Sequence, residues 1–205
     1  MIRPVTGVWE DEISGGIIGE IISQLGIEVV LYPVSYIKRT HPNGVGSIRT
    51  NISKYNNAAN YHPFLVMVDS DNVPCGPELI RKWGLTAINP GLLFQVAVRE
   101  VESWVLSDSE SFLSHFQIPI SMITKFPSDT DLLPDPKNFL MEMISHSHKM
   151  NYKRRILPEK GSTARVGKDY NSSILEFIGR DWQIARAEKK STSLKRFVKK
   201  LSNWR

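Results

Sequence analysis

The apolar positions change period along the first hundred residues. Pro4-Val5-Thr6-Gly7-Val8-Trp9 is a short extended run, whereas Ile13, Ile17, Ile18, Ile21, Ile22 and Leu25 recur at helical spacing after Glu10-Asp11-Glu12. Side chains alternate across a strand but return to one helix face every third or fourth residue, so the pattern predicts a strand, an acidic loop and an amphipathic helix. Gly26 ends that helix, and Ile27 to Tyr32 reads as a second strand closed by Pro33. From Ser35 to Tyr61 the pattern dissolves into Gly, Asn, Ser and basic residues, with one short helix predicted near Ile52 to Ala59. Phe64-Leu65-Val66-Met67-Val68 is a continuous apolar run that suits a strand buried on both faces of a parallel sheet, and it stops at Asp69-Ser70-Asp71-Asn72. A helix is predicted over Glu78 to Trp83 and a fourth strand over Leu92 to Val98, which ends in Arg99-Glu100-Val101-Glu102. Short helices come next, around Trp104 to Leu106 and around Phe112 and Leu113. Pro119, Pro127, Pro134 and Pro136 predict an irregular connection. Beyond it the spacing predicts helices over Asn138 to Ser147, Ser172 to Ile178 and Ser193 to Leu201, with a basic loop from Lys149 to Lys168.

Strand, helix, strand, repeated, predicts an α/β fold with a mostly parallel sheet flanked by helices. With 205 residues, 41% of them hydrophobic, the chain has material for one sizeable core. Residues 1–117 are expected to form it, with 118–205 as a basic, mainly helical extension packed on it. No apolar run reaches the roughly eighteen residues of a membrane span, and Met1-Ile2-Arg3-Pro4 lacks the layout of a signal peptide. A soluble, cytoplasmic protein without membrane association is the expectation. The single cysteine, Cys75, excludes an internal disulfide framework, leaves structural zinc almost no ligands, and has no evident base partner for nucleophilic work.

Charge changes the picture once it is divided along the chain. Residues 1–145 carry 10 Lys/Arg against 16 Asp/Glu, net −6, and residues 146–205 carry 16 against 5, net +11. An acidic part able to hold divalent cations, joined to a basic part able to hold polyanions, is what a metal-dependent enzyme acting on nucleic acid requires. A solvated or protein-docking basic tail is the plainer alternative.

In a parallel sheet the ligand site lies outside the carboxyl ends of the strands. Glu10, then Asp69 with Asp71, then Glu100 with Glu102, each come directly after a predicted strand, so parallel strands bring all five carboxylates to one edge. Like charges that close repel and raise one another's pKa unless a cation is present. Asp and Glu oxygens suit hard octahedral ions, Mg²⁺ or Mn²⁺, rather than Zn²⁺. Asp69 and Asn72 are also residue types that cap turns and helices at strand ends. Glu100 and Glu102 share a face only while the chain remains extended; a helix beginning there leaves one of them for the site.

These residues carry a resemblance. Trp9-Glu10 closing the first strand, and Val66-Met67-Val68-Asp69-Ser70-Asp71 closing the third, resemble the Glu and Asp-x-Asp motifs of the TOPRIM domain of topoisomerases, bacterial primases and the overcoming-lysogenisation-defect nucleases. Val98 to Trp104, and Gly161-Ser162 to Tyr170-Asn171, resemble small stand-alone TOPRIM-like proteins associated with ATPases in phage-defence loci. The resemblance covers approximately residues 4–115. It implies that Asp69 and Asp71 bind the principal Mg²⁺ and that Glu10 is the general acid/base or a second-metal ligand. It also implies that Glu100 or Glu102 completes a two-metal nuclease site. Many TOPRIM domains place Gly after the first Glu; here Asp11 and Glu12 stand in that place, which leaves open which acid faces the ion. The resemblance further implies a defence effector acting with an ATPase partner of the ABC or AAA type.

The basic half supplies candidates for the polyanion. Lys153, Arg154, Arg155, Lys160, Arg165 and Lys168 are interleaved with Gly161-Ser162-Thr163 and Gly167, whose backbone N–H groups can approach phosphate oxygens closely. Lys195 and Arg196, with Lys199 and Lys200, lie on the polar side of the last predicted helix. Lys137 is a candidate for stabilising phosphoryl charge, a lone Lys being more often a surface residue. His146 and His148 would splay on a helix, Trp83, Trp104 and Trp182 sit on apolar faces, and Gly44-Val45-Gly46 lacks the context of a dinucleotide fingerprint. The leading expectation is a divalent-metal-dependent endonuclease or nickase acting on DNA or RNA. The alternatives are a non-catalytic nucleic-acid-binding or regulatory module, and a phosphohydrolase or nucleotidyltransferase acting on nucleotides.

Overall fold

The computed structural model of the chain describes residues 3–33, 44–70 and 76–204; Asp71 and Cys75 lie outside the described residues. The elements in order are β1 (Arg3–Val8), α1 (Glu12–Gln24), β2 (Val29–Pro33), α2 (Gly44–Ala58), β3 (Phe64–Asp69), α3 (Gly76–Lys82) and β4 (Leu92–Ala97). After the sheet come α4 (Glu102–Ser107), α5 (Ser109–His115), two 3₁₀ turns over Ile120–Lys125 and Thr130–Leu132, α6 (Pro136–Ser145) and α7 (Met150–Ile156). The chain ends in α8 (Tyr170–Arg180), α9 (Ile184–Ala187) and α10 (Thr192–Asn203).

The four strands form one all-parallel sheet in the order β2-β1-β3-β4. Val8 lies opposite Val66, and Asp69 opposite Ala97, so the carboxyl ends of β1, β3 and β4 open onto one edge. Helices cover both faces. Leu65 and Met67 of β3 point into a larger core with Ile13, Ile17 and Trp104, while Val66 and Val68 point into a smaller one with Ile48, Ile52 and Leu79. Burial on both faces is why β3 reads as a continuous apolar run, and β4 as one broken only by Gln95, rather than as alternation.

The larger core runs through both parts of the chain, from Val5 and Ile17 to Phe177 and Leu201. Polar ties reinforce it: Gln24 donates to the Trp182 carbonyl at 2.8 Å and accepts from the Ile184 amide at 2.8 Å, joining α1 to α9. Trp104 and Trp182 are fully buried and each indole has its acceptor, Ser193 Oγ at 2.7 Å and the Trp104 carbonyl at 3.1 Å.

Three stretches differ from expectation. The helix expected over Ile52 to Ala59 begins at Gly44, because Ile48, Ile52 and Ala59 bury one face that the surrounding Asn and Gly obscure in sequence. Within the stretch expected to be a basic loop, Met150–Ile156 is helical: Ile156 is buried and Tyr152 packs on Phe116, so two apolar anchors outweigh the cations between them. The short helix α9 has no counterpart among the expected elements. No helix among the described residues is long and apolar enough to cross a membrane.

The link from α7 to α8 is pinned by backbone. Gly167 and Asp169 donate their amides to the carbonyls of Ile156 and Arg155, at 2.8 and 3.0 Å. A methyl group at Gly167 would lie 2.7 Å from the Leu157 carbonyl oxygen and 2.8 Å from the Ile156 carbonyl carbon, neither of which can swing away. Gly167→Ala is expected to cost about 1–3 kcal/mol by overpacking, read as a fall in Tm of about 2–4 °C per kcal/mol. An unchanged melting curve would mean that the segment is not held there.

Candidate functional site

Three of the strand ends deliver carboxylates, and local chemistry decides which of them face inward. Asp11 is the N-cap of α1, its Oδ1 accepting the Ser14 amide at 2.8 Å, and Glu12 opens the helix with Asn171 Nδ2 at 3.4 Å from its Oε2. Capping commits one oxygen of Asp11 to the helix, while its charge still reaches the sheet edge. Glu10 turns toward β3 instead: its Oε1 accepts the Asp69 amide at 2.9 Å. The amide at the end of the central strand thus holds the first of the expected acids beside the second.

Asp69 is half-buried as a residue, yet its Oδ1 is shielded from solvent and has no hydrogen-bond partner among the described residues. Burial, and after it the charges of Glu10, Glu102, Asp11 and Glu100, hold its carboxyl well above the ordinary aspartate range. Those four neighbours are the electrostatic signature of convergence at one edge.

After β4 the chain turns sharply. Arg99 adopts φ 61°, a left-handed conformation uncommon for a side chain of its size, and its amide donates to Ser70 Oγ at 2.6 Å. The turn lets α4 start at once, so Glu100 and Glu102 reach different partners. Glu100 Oε2 accepts the Lys137 amide at 3.1 Å, at the start of α6 where the exposed N–H groups favour an anion. Glu102 is fully buried, and its Oε1 receives both Lys137 Nζ at 3.1 Å and the Tyr170 hydroxyl at 2.9 Å. Its Oε2 is buried without a partner among the described residues.

Charge balance explains the titration behaviour. Burial raises the Glu102 carboxyl, and Lys137 offsets part of that rise. Burial pulls the Lys137 ammonium down, but Glu102, Glu100 and Asp11 more than offset it, leaving it above the ordinary lysine value. The Tyr170 phenol is pushed far up, by burial first and then by Glu102, so it stays a donor. Lys137 is therefore not a surface lysine but the cation bonded to the carboxylate cluster. Tyr170, which sequence reasoning did not place in the site, is its second donor.

The basic candidates stand elsewhere. Lys153, Arg154 and Arg155 lie on α7, and Arg155 is engaged by Glu176 at 3.4 Å and Asp169 at 4.0 Å. Lys168 faces Glu159 at 3.6 Å, while Lys160 and Arg165 are exposed. Lys195, Arg196, Lys199 and Lys200 are exposed on α10 and form no ion pair with a described residue. The structure does not gather these two groups with the carboxylates into one cluster of contacts.

Among the described residues no three His, Cys, Asp or Glu side chains already stand together as an ion-binding group. The donors at the edge nevertheless have the chemistry a hard divalent cation takes: all are oxygens, and among the described residues two are shielded from water without a partner and the carboxylates outnumber the one lysine bonded to them. Compared with protein-family models, curated proteins and solved structures, the chain matches none.

A crowded carboxylate should cost stability. Below the ordinary aspartate range Asp69 is protonated in both folded and unfolded chain, and nothing is lost. As pH rises toward its raised folded pKa, the unfolded chain releases the proton first and stability falls. Asp69→Asn in the presence of EDTA is therefore expected to raise Tm near neutral pH by about 2–4 °C, as for a gain of about 1 kcal/mol. The difference should shrink as the pH is lowered; a variant equally or less stable across the range would show that crowding does not tax the fold.

Proposed function

We propose that the chain is a divalent-metal-dependent nuclease of the TOPRIM type, hydrolysing phosphodiester bonds of DNA or RNA with the carboxylate edge as its active site. The observation that carries this reading is a pair of water-shielded carboxylate oxygens without a partner among the described residues, Asp69 Oδ1 at the end of β3 and Glu102 Oε2 at the start of α4, just beyond the neighbouring parallel strand β4. Asp69 and Asp71 would hold Mg²⁺ or Mn²⁺, with Glu10 and one oxygen of Glu102 or Glu100 as the candidate ligands of a second ion. Bound divalent cation supplies the charge neutralisation and the acidified water that phosphodiester hydrolysis needs.

The chain's own residues do the rest. The Asp69 amide holds one oxygen of Glu10, whose carboxylate would accept a proton from the attacking water and return it to the leaving oxygen. Lys137 lies between Glu100 and Glu102, so its ammonium can turn from Glu102 to a phosphoryl oxygen without a new cation entering. Tyr170 keeps Glu102 oriented when it does. Exposed cations of α7 and α10 contribute to the polymer's hold through its backbone charge. The resemblance of the motifs extends the proposal to a cytoplasmic effector of phage defence working with an ATPase partner.

One feature favours a second reading. Glu102 Oε1 is already satisfied by Lys137 and Tyr170, an arrangement that would also serve a module that binds nucleic acid without cutting it. Cleavage of plasmid DNA, single-stranded DNA and tRNA with Mg²⁺, Mn²⁺ or EDTA separates the two. Nuclease activity should require metal, vanish in Asp69→Ala and fall about 10–100-fold in Lys137→Ala. Cutting that survives Asp69→Ala would remove the site, and salt-sensitive binding with no cutting by wild type would favour the binding module.

A further inference from the structure

A second feature lies at the opposite end of the sheet. The loop that leads into β4 and the outer face of α10 enclose a groove of about 610 Å³. Its floor is apolar, with Ile88, Pro90 and Trp204, and its rim is basic, with Arg196, Lys199 and Lys200; no carboxylate of a described residue lines it. The indole is fixed rather than loose: its Nε1 donates to the Pro90 carbonyl at 3.0 Å, and the Arg3 guanidinium lies 4.7 Å from the ring centroid.

We propose that this groove is a binding track for single-stranded nucleic acid. Base pairing decides between the two forms of the polymer. A duplex hides its base faces and offers a protein mainly phosphates, so an aromatic, apolar floor beneath a row of cations gives it nothing beyond the rim. An unpaired strand offers both parts, phosphates for the lysines and base faces for the floor. Arg196 and Lys200 are one helical turn apart, about 6 Å along the axis, which suits successive phosphates of an extended strand. The four cations of α10 lack ion pairs among the described residues, so binding need not first break one.

The track also points at the carboxylates. Trp204 contacts Pro90, ahead of β4, whereas Ser193 contacts Trp104, just past Glu102; α10 therefore runs antiparallel to β4, from the carboxylate edge to the groove. Its 12 residues span about 18 Å. The inference deepens the nuclease reading by naming an unpaired strand as the substrate, and depends on that reading only for the cutting step.

Binding is measured by fluorescence anisotropy in EDTA, with labelled oligothymidylate, a duplex of equal length and poly-glutamate as probes. Wild type should hold the single strand at least about tenfold tighter than the duplex. Lys199→Glu/Lys200→Glu, both at exposed positions, should weaken it by at least about tenfold and lower the salt slope by about two. A photoreactive 5-iodouracil strand should crosslink to Trp204. Equal affinity for duplex, or single-strand binding unmoved by the double substitution, would overturn the track. Substitution-sensitive binding of poly-glutamate without oligonucleotide binding would overturn it too, by assigning the groove to an acidic protein. Because these readings need no metal, a carboxylate site that fails to cut leaves them standing; metal-dependent cutting of single strands at wild-type efficiency by the double variant would sink the track and spare the nuclease.

Discussion

Asp69 is where the fold and the chemistry make opposing demands. Its backbone closes β3, the strand flanked by β1 and β4, and pairs in register with Ala97, so it cannot move outward without unpairing the sheet. Its side chain meets the charges of Glu10, Asp11, Glu100 and Glu102. A pair of unit charges 4 Å apart is worth about 4 kcal/mol at the effective dielectric of a protein surface. Even a fraction of that repulsion matters against a folding free energy of about 5–15 kcal/mol, and the raised pKa of Asp69 is how the folded chain relieves it. All-parallel topology forces the problem, since every crossover returns the chain in the same direction and every carboxyl end opens onto the same edge.

The helices beyond residue 100 are arranged around that constraint. Lys137 enters from the start of α6 and Tyr170 from the start of α8, and both converge on Glu102 at the start of α4. Convergence of three helix starts needs each helix fixed. The Trp104 indole and carbonyl are both bonded, to Ser193 and Trp182, while Asp131 accepts the Ser193 amide at 2.6 Å and the Ser191 hydroxyl at 2.8 Å. Burial raises the Asp131 carboxyl and these hydrogen bonds oppose the rise. Buried polar groups with satisfied partners specify one arrangement where apolar packing alone would tolerate several.

The range of each contact decides how far it is legible in the sequence. β3 and β4 can be read because burial on both faces writes a nearly continuous apolar run, interrupted only by Gln95 of β4. Glu10, Asp69 and Glu100 can be read because parallel strands deliver their terminal residues to one edge. The cap that commits one oxygen of Asp11 to α1 was in principle readable too, as an acid just before the first periodic apolar residue. Glu102 with Lys137 and Tyr170 is different: the partners are 35 and 68 residues away in the chain, and only the docking of α6 and α8 brings them together. No local pattern encodes that docking. In α2 and α7 the apolar anchors are present but sparse, and Asn, Gly or Lys and Arg between them mask the period.

A structural role does not account for the carboxylates at this edge. Capping explains Asp11, and a helix start explains Glu100, but the shielded oxygens of Asp69 and Glu102 accept no hydrogen bond from the described residues. Such an oxygen contributes nothing to the fold that a smaller or neutral side chain would not, and it adds desolvation and repulsion. Lys137 relieves one carboxylate by reaching in from another helix, which shows how the chain could have neutralised the rest had neutrality been the requirement. The remaining charge is concentrated, directed into a shielded edge and built wholly from hard oxygen donors. On the proposed reading that combination would serve to capture a small multivalent cation, and the basic outer face of α10 would hold a polyanion that the acidic edge alone would repel.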